Sequence, residues 1–236
     1  MVDADTPPAA DRLARFKRLF AARVVIFDFD GVLVDSERYH FETYNAVFQK
    51  YGHRLDETEY YKYWTSLGLG PKGEIERHRL SIDPAAIRRE KRPIFSEYCR
   101  NGTIRFFPEA RELVDLLWRA KKTLAIASGT MGSDIEAILA NEGVRERFAA
   151  IVGSDTVAAL KPAPDILQKV LSDVGASARE AVVVEDAEKG VGAAIAAGVP
   201  VVVVRTKETR AIEFAGADLI LESHGEMVEF ARRAFS

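Results

Sequence analysis

Two aspartates, Asp28 and Asp30, stand one residue apart and are followed at once by Gly31, directly after the apolar run Val24–Phe27. Carboxylates are costly to bury unpaired, so two at the end of a core strand need a metal, hydrogen bonds or a catalytic task. Gly31 gives the backbone freedom for a sharp turn behind them. A second acidic pair, Glu185 and Asp186, closes another apolar run, Ala181–Val184. Ser128 and Gly129 follow the run Thr123–Ala127, and Lys161 stands in a loop after a further run, Phe148–Val152. Asp28, Asp186 and Glu185 offer hard carboxylate oxygens that suit Mg2+, an ion that keeps waters and bridges to phosphate. Lys161, the Ser128 hydroxyl and backbone N–H groups around Phe29, Asp30, Gly31 and Gly129 could hold phosphate oxygens. Each group has an ordinary structural alternative: a strand-terminal turn, a solvent-facing lysine, a helix cap, a loop with a capping acid. Four such groups, each linked to a strand and met in chain order, argue jointly for one anion-and-metal site.

That convergence requires the strands to share an edge. From residue 122 onward the texture alternates: strands over 123–127, 148–152, 181–185, 199–204 and 218–221, with helices over about 133–142, 164–174 and 188–197 between them. Alternating strands and helices indicate crossover units of a parallel sheet, and right-handed crossovers put the C-terminal strand ends on one side. The expected fold is therefore α/β, a Rossmann-like parallel sheet with helices on both faces. Between the Asp30 turn and the second strand the pattern is helical, over 37–52, 56–67, 72–80, 84–99 and 109–120. Breaks fall at Gly52, Gly68–Pro71, Asp83–Pro84 and Asn101–Gly102,. Aromatics from Tyr39 to Trp64 recur at helical spacing and read as the core of a small bundle,. The expected organisation is an N-terminal extension over 1–22, a core domain over 23–36 and 106–236, and an inserted α-helical cap domain over 37–105.

The bulk properties fit this plan. A chain of 236 residues with 47% hydrophobic and 29% charged residues is an ordinary globular protein, long enough for a sizeable core,. A net charge of -3 gives no basic surplus, so nucleic acid is a poor default partner,. The single Cys99 excludes an intrachain disulfide and a multi-cysteine metal site, and fits a reducing cytoplasmic setting,. No apolar run approaches a bilayer span, and the first residues lack the order of a secretory signal, so no membrane association is expected. Residues 1 to about 10 read as a disordered leader. Asp11–Phe20 reads as a short basic amphipathic helix, with Leu13, Phe16, Leu19 and Phe20 on the face that packs against the domain,. Oligomeric state is not encoded in any of these features.

The order Asp28-Phe-Asp30-Gly31, Ser128, Lys161-Pro162-Ala-Pro164-Asp165 and Glu185-Asp186-Ala-Glu-Lys-Gly190 resembles the four motifs of the haloacid dehalogenase-like phosphohydrolase superfamily. The resemblance runs from Arg23 to about Leu221, and the helical insert is similar to the small cap of the phosphoglycolate phosphatase and β-phosphoglucomutase branch. It implies a Mg2+-dependent phosphohydrolase acting on a small phosphorylated metabolite, a sugar phosphate or phosphoglycolate-like ester, through an aspartyl-phosphate. In that reading Asp28 is the nucleophile. Asp30 is the general acid and base. Mg2+ is held by Asp28, the Asp30 carbonyl and Asp186 with Glu185 in support, and Lys161 and Ser128 hold the transferring phosphoryl group.

For the substrate the resemblance implies less. Asp35–His40 is similar to the hinge of the sugar-phosphate members, which puts His40 near the mouth of the site. The segment Gly68–Gly73 is similar to a specificity loop, with Lys72 able to meet a distal charge; Lys91 and Arg92 are further cap candidates. A β-phosphoglucomutase-like mutase is the near alternative, but mutases of the family tend to carry a Lys-Asn pair where this chain has Met131–Gly132. A non-catalytic phosphate- or partner-binding protein is the distant one, and no catalytic group is missing to favour it.

Overall fold

The structure, a computed structural model, describes residues 8–66, 68–210 and 212–235. Residues 1–7 of the expected leader lie outside these, while Ala9 and Ala10 already belong to the first helix, α1 (Ala9–Leu19). Strand β1 (Val24–Phe27) follows, then a helical insert: α2 (Glu37–Lys50), α3 (Glu57–Tyr60) running into a π-helical turn (Tyr61–Ser66), α4 (Gly70–Arg77) and α5 (Pro84–Arg100). The alternating part comprises α6 (Pro108–Arg119), β2 (Thr123–Ala127), α7 (Gly132–Glu142), β3 (Phe148–Val152), α8 (Asp165–Asp173), β4 (Ala181–Glu185), α9 (Glu188–Ala197), β5 (Val201–Val204) and β6 (Leu219–Leu221). The final helix, α10 (His224–Phe235), has no counterpart in the sequence reading, although Met227, Val228, Phe230 and Ala231 give it a buried face.

All six strands are parallel, in the order β3-β2-β1-β4-β5-β6. This is the α/β sheet that alternation in the sequence predicts. Side chains divide with the two-residue period of a strand. Val25, Phe27, Leu124, Ile126, Val182 and Val184 point to one face, where α1, α6, α7 and α10 complete a core. Val24, Ile26, Ala125, Ala127, Val183 and Val201 point to the other, beneath α8 and α9. The chain moves outward from β1 through β2 to β3 with its helices on one face, then crosses to β4 on the other side of β1 and moves outward in the opposite direction through β5 to β6. Such a reversal leaves a crevice at the C-terminal strand ends beside β1.

Helix α1 is built into this core: Phe16 and Phe20 stack at 4.1 Å, Phe16 meets Phe230 edge-on, and Arg12 pairs with Glu226. In the insert, Asp83 accepts from the N–H groups of Ala85 and Ala86 and Pro84 opens α5, the cap-and-proline start expected from sequence,. The insert has its own apolar centre of Val47, Phe48, Leu55, Tyr60, Trp64, Ile75 and Ile87. Phe95, Cys99 and Ile104 instead join the core of the sheet, so α5 ties the insert to it. Among the described residues no helix is long and apolar enough to cross a membrane.

Candidate active site

Strands β2, β1 and β4 are neighbours in register, with Phe27 beside Ile126 and Val184. Within the next two residues their ends deliver Ser128, Asp28 and Glu185–Asp186 to the same point. The Asp28 N–H donates to the Val184 carbonyl, 2.9 Å, which extends the ladder by one bond and fixes the carboxylate at the strand tip. Lys161 reaches across from the loop after β3. Its ammonium donates to Asp28 Oδ1 (2.7 Å), the Ala127 carbonyl (2.8 Å) and Glu185 Oε1 (2.5 Å), which uses all three N–H groups,. Glu185 Oε2 in turn accepts from the Asp186 and Ala187 N–H groups.

The electrostatics follow from burial. Burial pushes the Asp28 carboxyl up to about 7; Lys161 opposes this, while Glu185 and Asp30 add to it. Burial and the charges of Asp28 and Glu185 push Asp186 well above the usual carboxylate range. Lys161 is buried too, which opposes its charge, but Asp28 and Glu185 overcome that and raise it. Three carboxylates, Asp28, Glu185 and Asp186, bring oxygens within 4.8 Å of one another with one ammonium between them. An all-oxygen set with surplus negative charge fits a hard divalent cation such as Mg2+. Two glycines make the room. A Cβ on Gly31, which has φ +78°, would fall 2.1 Å from Asp186 Oδ2, and one on Gly190 would fall 1.8 Å from Glu185 Oε1.

Asp30 is held differently. Its Oδ2 accepts from Ser128 Oγ (3.2 Å) and Thr130 Oγ1 (2.6 Å), both at the end of β2. Its Oδ1 accepts from Ser36 Oγ (2.6 Å) and His40 Nε2 (3.2 Å), at the start of α2. Burial opposes ionisation here, but the hydrogen bonds from His40, Ser36 and Thr130 outweigh it and hold the carboxyl well below the usual range,. Behind His40 lies Lys91, whose ammonium is 2.8 Å from His40 Nδ1. A lysine donating to Nδ1 leaves Nε2 as the protonated nitrogen, so the chain of donors runs Lys91 to His40 to Asp30. Phe95 stacks on the His40 ring at 4.0 Å and lies 3.5 Å beneath the Lys91 ammonium. Burial lowers Lys91 to about 8, with the Asp30 charge opposing.

The structure thus brings Asp28, Asp30, Ser128, Lys161, Glu185 and Asp186 together and adds His40 and Lys91 from the insert. Phe29 contributes backbone only, since its ring is buried against Phe106, and Gly129 is exposed at the tip of β2. The other insert candidates have different surroundings. Gly68 is exposed, Lys72 faces solvent beside Glu76 (3.7 Å), and Arg92 lines an open surface depression with Asp83, Arg88 and Arg89. Thr130 and Ser36 are the residues that sequence reasoning left without a role. The signal for Thr130 was its two-residue spacing from Ser128, whose Oγ accepts from the Thr130 N–H at 3.0 Å. For Ser36 there was only its place at the start of a helix.

Comparison with known proteins gives the family. Residues 25–204 match the model of the haloacid dehalogenase-like hydrolase family. The chain is 33% identical over 224 residues to the plasmid protein CbbY of Cupriavidus necator, covering 88% of this chain and 87% of that one. It is 32% identical over 188 residues to the fructose-1-phosphate phosphatase YqaB of Escherichia coli, covering 77% and 95%. Among solved structures, CbbY of Rhodobacter sphaeroides in complex with phosphate superposes with a TM-score of 0.74 at 32% identity, covering 87% of this chain and 96% of that one. A variant of that protein has been solved with xylulose-(1,5)bisphosphate.

Proposed function

The chain belongs to the haloacid dehalogenase-like hydrolase family, and from that premise we propose a Mg2+-dependent phosphoric monoester hydrolase acting on a small phosphorylated metabolite, a sugar phosphate or phosphoglycolate-like ester. Membership in a hydrolase family, with relatives named as phosphatases, makes it a phosphatase enzyme. The observation that carries the finer reading is the pairing of Asp28 with Lys161 beside Glu185 and Asp186, with Asp30 two residues on in a cradle of donors.

In this reading the Asp28 carboxylate attacks phosphorus, its oxygen forms the new P–O bond, and the ester's P–O bond breaks. Ser128 donates to a phosphoryl oxygen, and Lys161, whose three N–H groups are engaged by Asp28, Ala127 and Glu185, offsets the phosphoryl charge through its ammonium or exchanges one of those acceptors for a phosphoryl oxygen,. Asp28, the Asp30 carbonyl and Asp186, with Glu185 in support, would hold Mg2+, whose charge would help to neutralise the phosphoryl group. Asp30 gives a proton to the departing alcohol and takes one from the water that hydrolyses the aspartyl-phosphate. The four hydrogen bonds that keep Asp30 ionised suit the second of these tasks. The first requires release from the cradle, and a substrate phosphate that draws Ser128 and Thr130 to itself provides it.

The helical residues 37–105 act as a cap over a core of 23–36 and 106–236, with 1–22 as an N-terminal extension. The Lys91–His40–Asp30 chain supports a cap that reaches the reacting groups when it covers them, excluding water from the phosphoryl transfer. Hydrolysis is preferred to isomerisation because Met131 and Gly132 offer no side-chain donor for a second phosphate. The buried free Cys99 suits a cytoplasmic enzyme,. A panel of phosphorylated metabolites, scored for released phosphate with and without Mg2+, tests the proposal. Turnover of at least one sugar phosphate or short phosphorylated acid that stops on chelation is expected. Isomerisation of glucose 1-phosphate without net phosphate release would favour the mutase instead.

A further inference from the structure

A second cluster of ligand-type side chains lies inside the helical insert, on elements that supply nothing to the Asp28 site. His53 follows α2, Glu74 lies in α4, and His78, four residues on, caps the C-terminus of α4. Glu74 is only 2% exposed. Its Oε1 lies 2.8 Å from His53 Nε2 and 3.4 Å from His78 Nε2. Its Oε2 is separately occupied, by the Trp64 indole N–H (3.3 Å) and Arg77 (3.1 Å). Two imidazoles therefore converge on one carboxylate oxygen while the other oxygen is tied back, and the ligand atoms of all three residues lie within 4.8 Å of one another. The His53 ring is braced edge-on by Phe48.

We propose that His53, Glu74 and His78 form a binding site for a single borderline-soft transition-metal cation, Zn2+ before others. Two imidazole nitrogens with one carboxylate oxygen suit Zn2+ rather than Mg2+, which prefers an all-oxygen shell. A tetrahedron of ~2.1 Å bonds has edges of about 3.4 Å; the spacing from Glu74 Oε1 to His78 Nε2 is 3.4 Å, while the 2.8 Å spacing to His53 Nε2 is a hydrogen bond that an ion would replace and widen. Trp64 and Arg77 do for Glu74 what outer-shell donors do for a ligating carboxylate: they fix which oxygen faces the metal. The Arg77 charge is shared with Glu59, which is paired to it and whose carboxylate stands 3.3 Å from His78 Nε2. The His78 side chain is 36% exposed, so the fourth position opens to water. Such an ion would cross-link the loop after α2 to the C-terminal end of α4, beside the insert's apolar centre.

Zn2+ titration of the full chain, freed of metal with a chelator and then kept in excess Mg2+ to fill the Asp28 site, tests this. One Zn2+ per chain is expected, with a rise in Tm, in both the wild type and Asp28→Asn. His53→Ala and His78→Ala should each weaken Zn2+ binding at least tenfold and abolish the Tm rise. His78→Ala decides the matter if His53→Ala does not fold, because His78 is partly exposed; a metal-free Tm near that of the wild type shows that the variant is intact. Zn2+ affinity unchanged in His78→Ala, or binding that disappears in Asp28→Asn, would overturn the proposal.

Discussion

The carboxylate of Asp30 joins two regions that are built in different ways. Its Oδ2 is held by Ser128 and Thr130, whose positions follow from the register of β1 and β2. Its Oδ1 is held by Ser36, just before α2, and by His40, and through His40 by Lys91, the last two on helices whose packing rests on aromatic side chains. At the sheet edge the backbone places the chemistry, so a residue's distance from the end of a strand is enough to find it. In the insert only a side chain that reaches the edge takes part, and neighbours on one helix differ. Lys91 is buried against His40, while the adjacent Arg92 is exposed.

Substitutions can break this contrast in order of effect. Asp28→Asn removes the nucleophile and is expected to lower Mg2+-dependent phosphate release from an aryl phosphate by on the order of 10⁴-fold or more, with Tm preserved. Lys161→Met removes the one ammonium among three buried carboxylates and should cost ~10²–10³-fold in kcat,. Lys91→Met acts only through His40 and should cost about tenfold in kcat, less than the roughly 10²–10⁴-fold of a group that transfers the proton itself. It carries a second signature. Because burial lowers Lys91 from 10.5 to about 8, the unfolded chain binds the extra proton between those values, so this residue makes stability rise with pH across that window. Lys91→Met should flatten that rise, which amounts to no more than about 1.4 kcal/mol per pH unit, in denaturation curves taken from pH 7 to 11. Lys72→Ala closes the series. With its ammonium exposed beside Glu76, it should shift stability by less than about 0.5 kcal/mol. A fall in kcat as large as that of Lys91→Met would show that the insert contributes by more than reach alone.

The same contrast explains what could be read from the sequence. The sheet, the helices between its strands and the six residues that converge at its edge were legible because all but Lys161 lie within three residues of the end of an apolar run, and Lys161 stands in the loop after one. His40 and Lys91 were legible only as candidates. Their value depends on α2 and α5 lying side by side, with Phe95 packed against both the ring and the ammonium, and no local pattern encodes that. The role of α1 was half-legible: its apolar face was plain, but the partner of Phe16, Phe230 of α10, lies on a helix that the sequence reading did not find. The His53–Glu74–His78 cluster was invisible for a similar reason. Glu74 and His78 are four residues apart, but His53 reaches them only through the fold of the insert.

The most direct test of the central claim is mass spectrometry of the enzyme quenched with acid during turnover. The account predicts one added phosphoryl group in the wild type, on the peptide bearing Asp28, and none in Asp28→Asn. A phosphoryl group on any other residue, or turnover of Asp28→Asn at the wild-type rate, would contradict it.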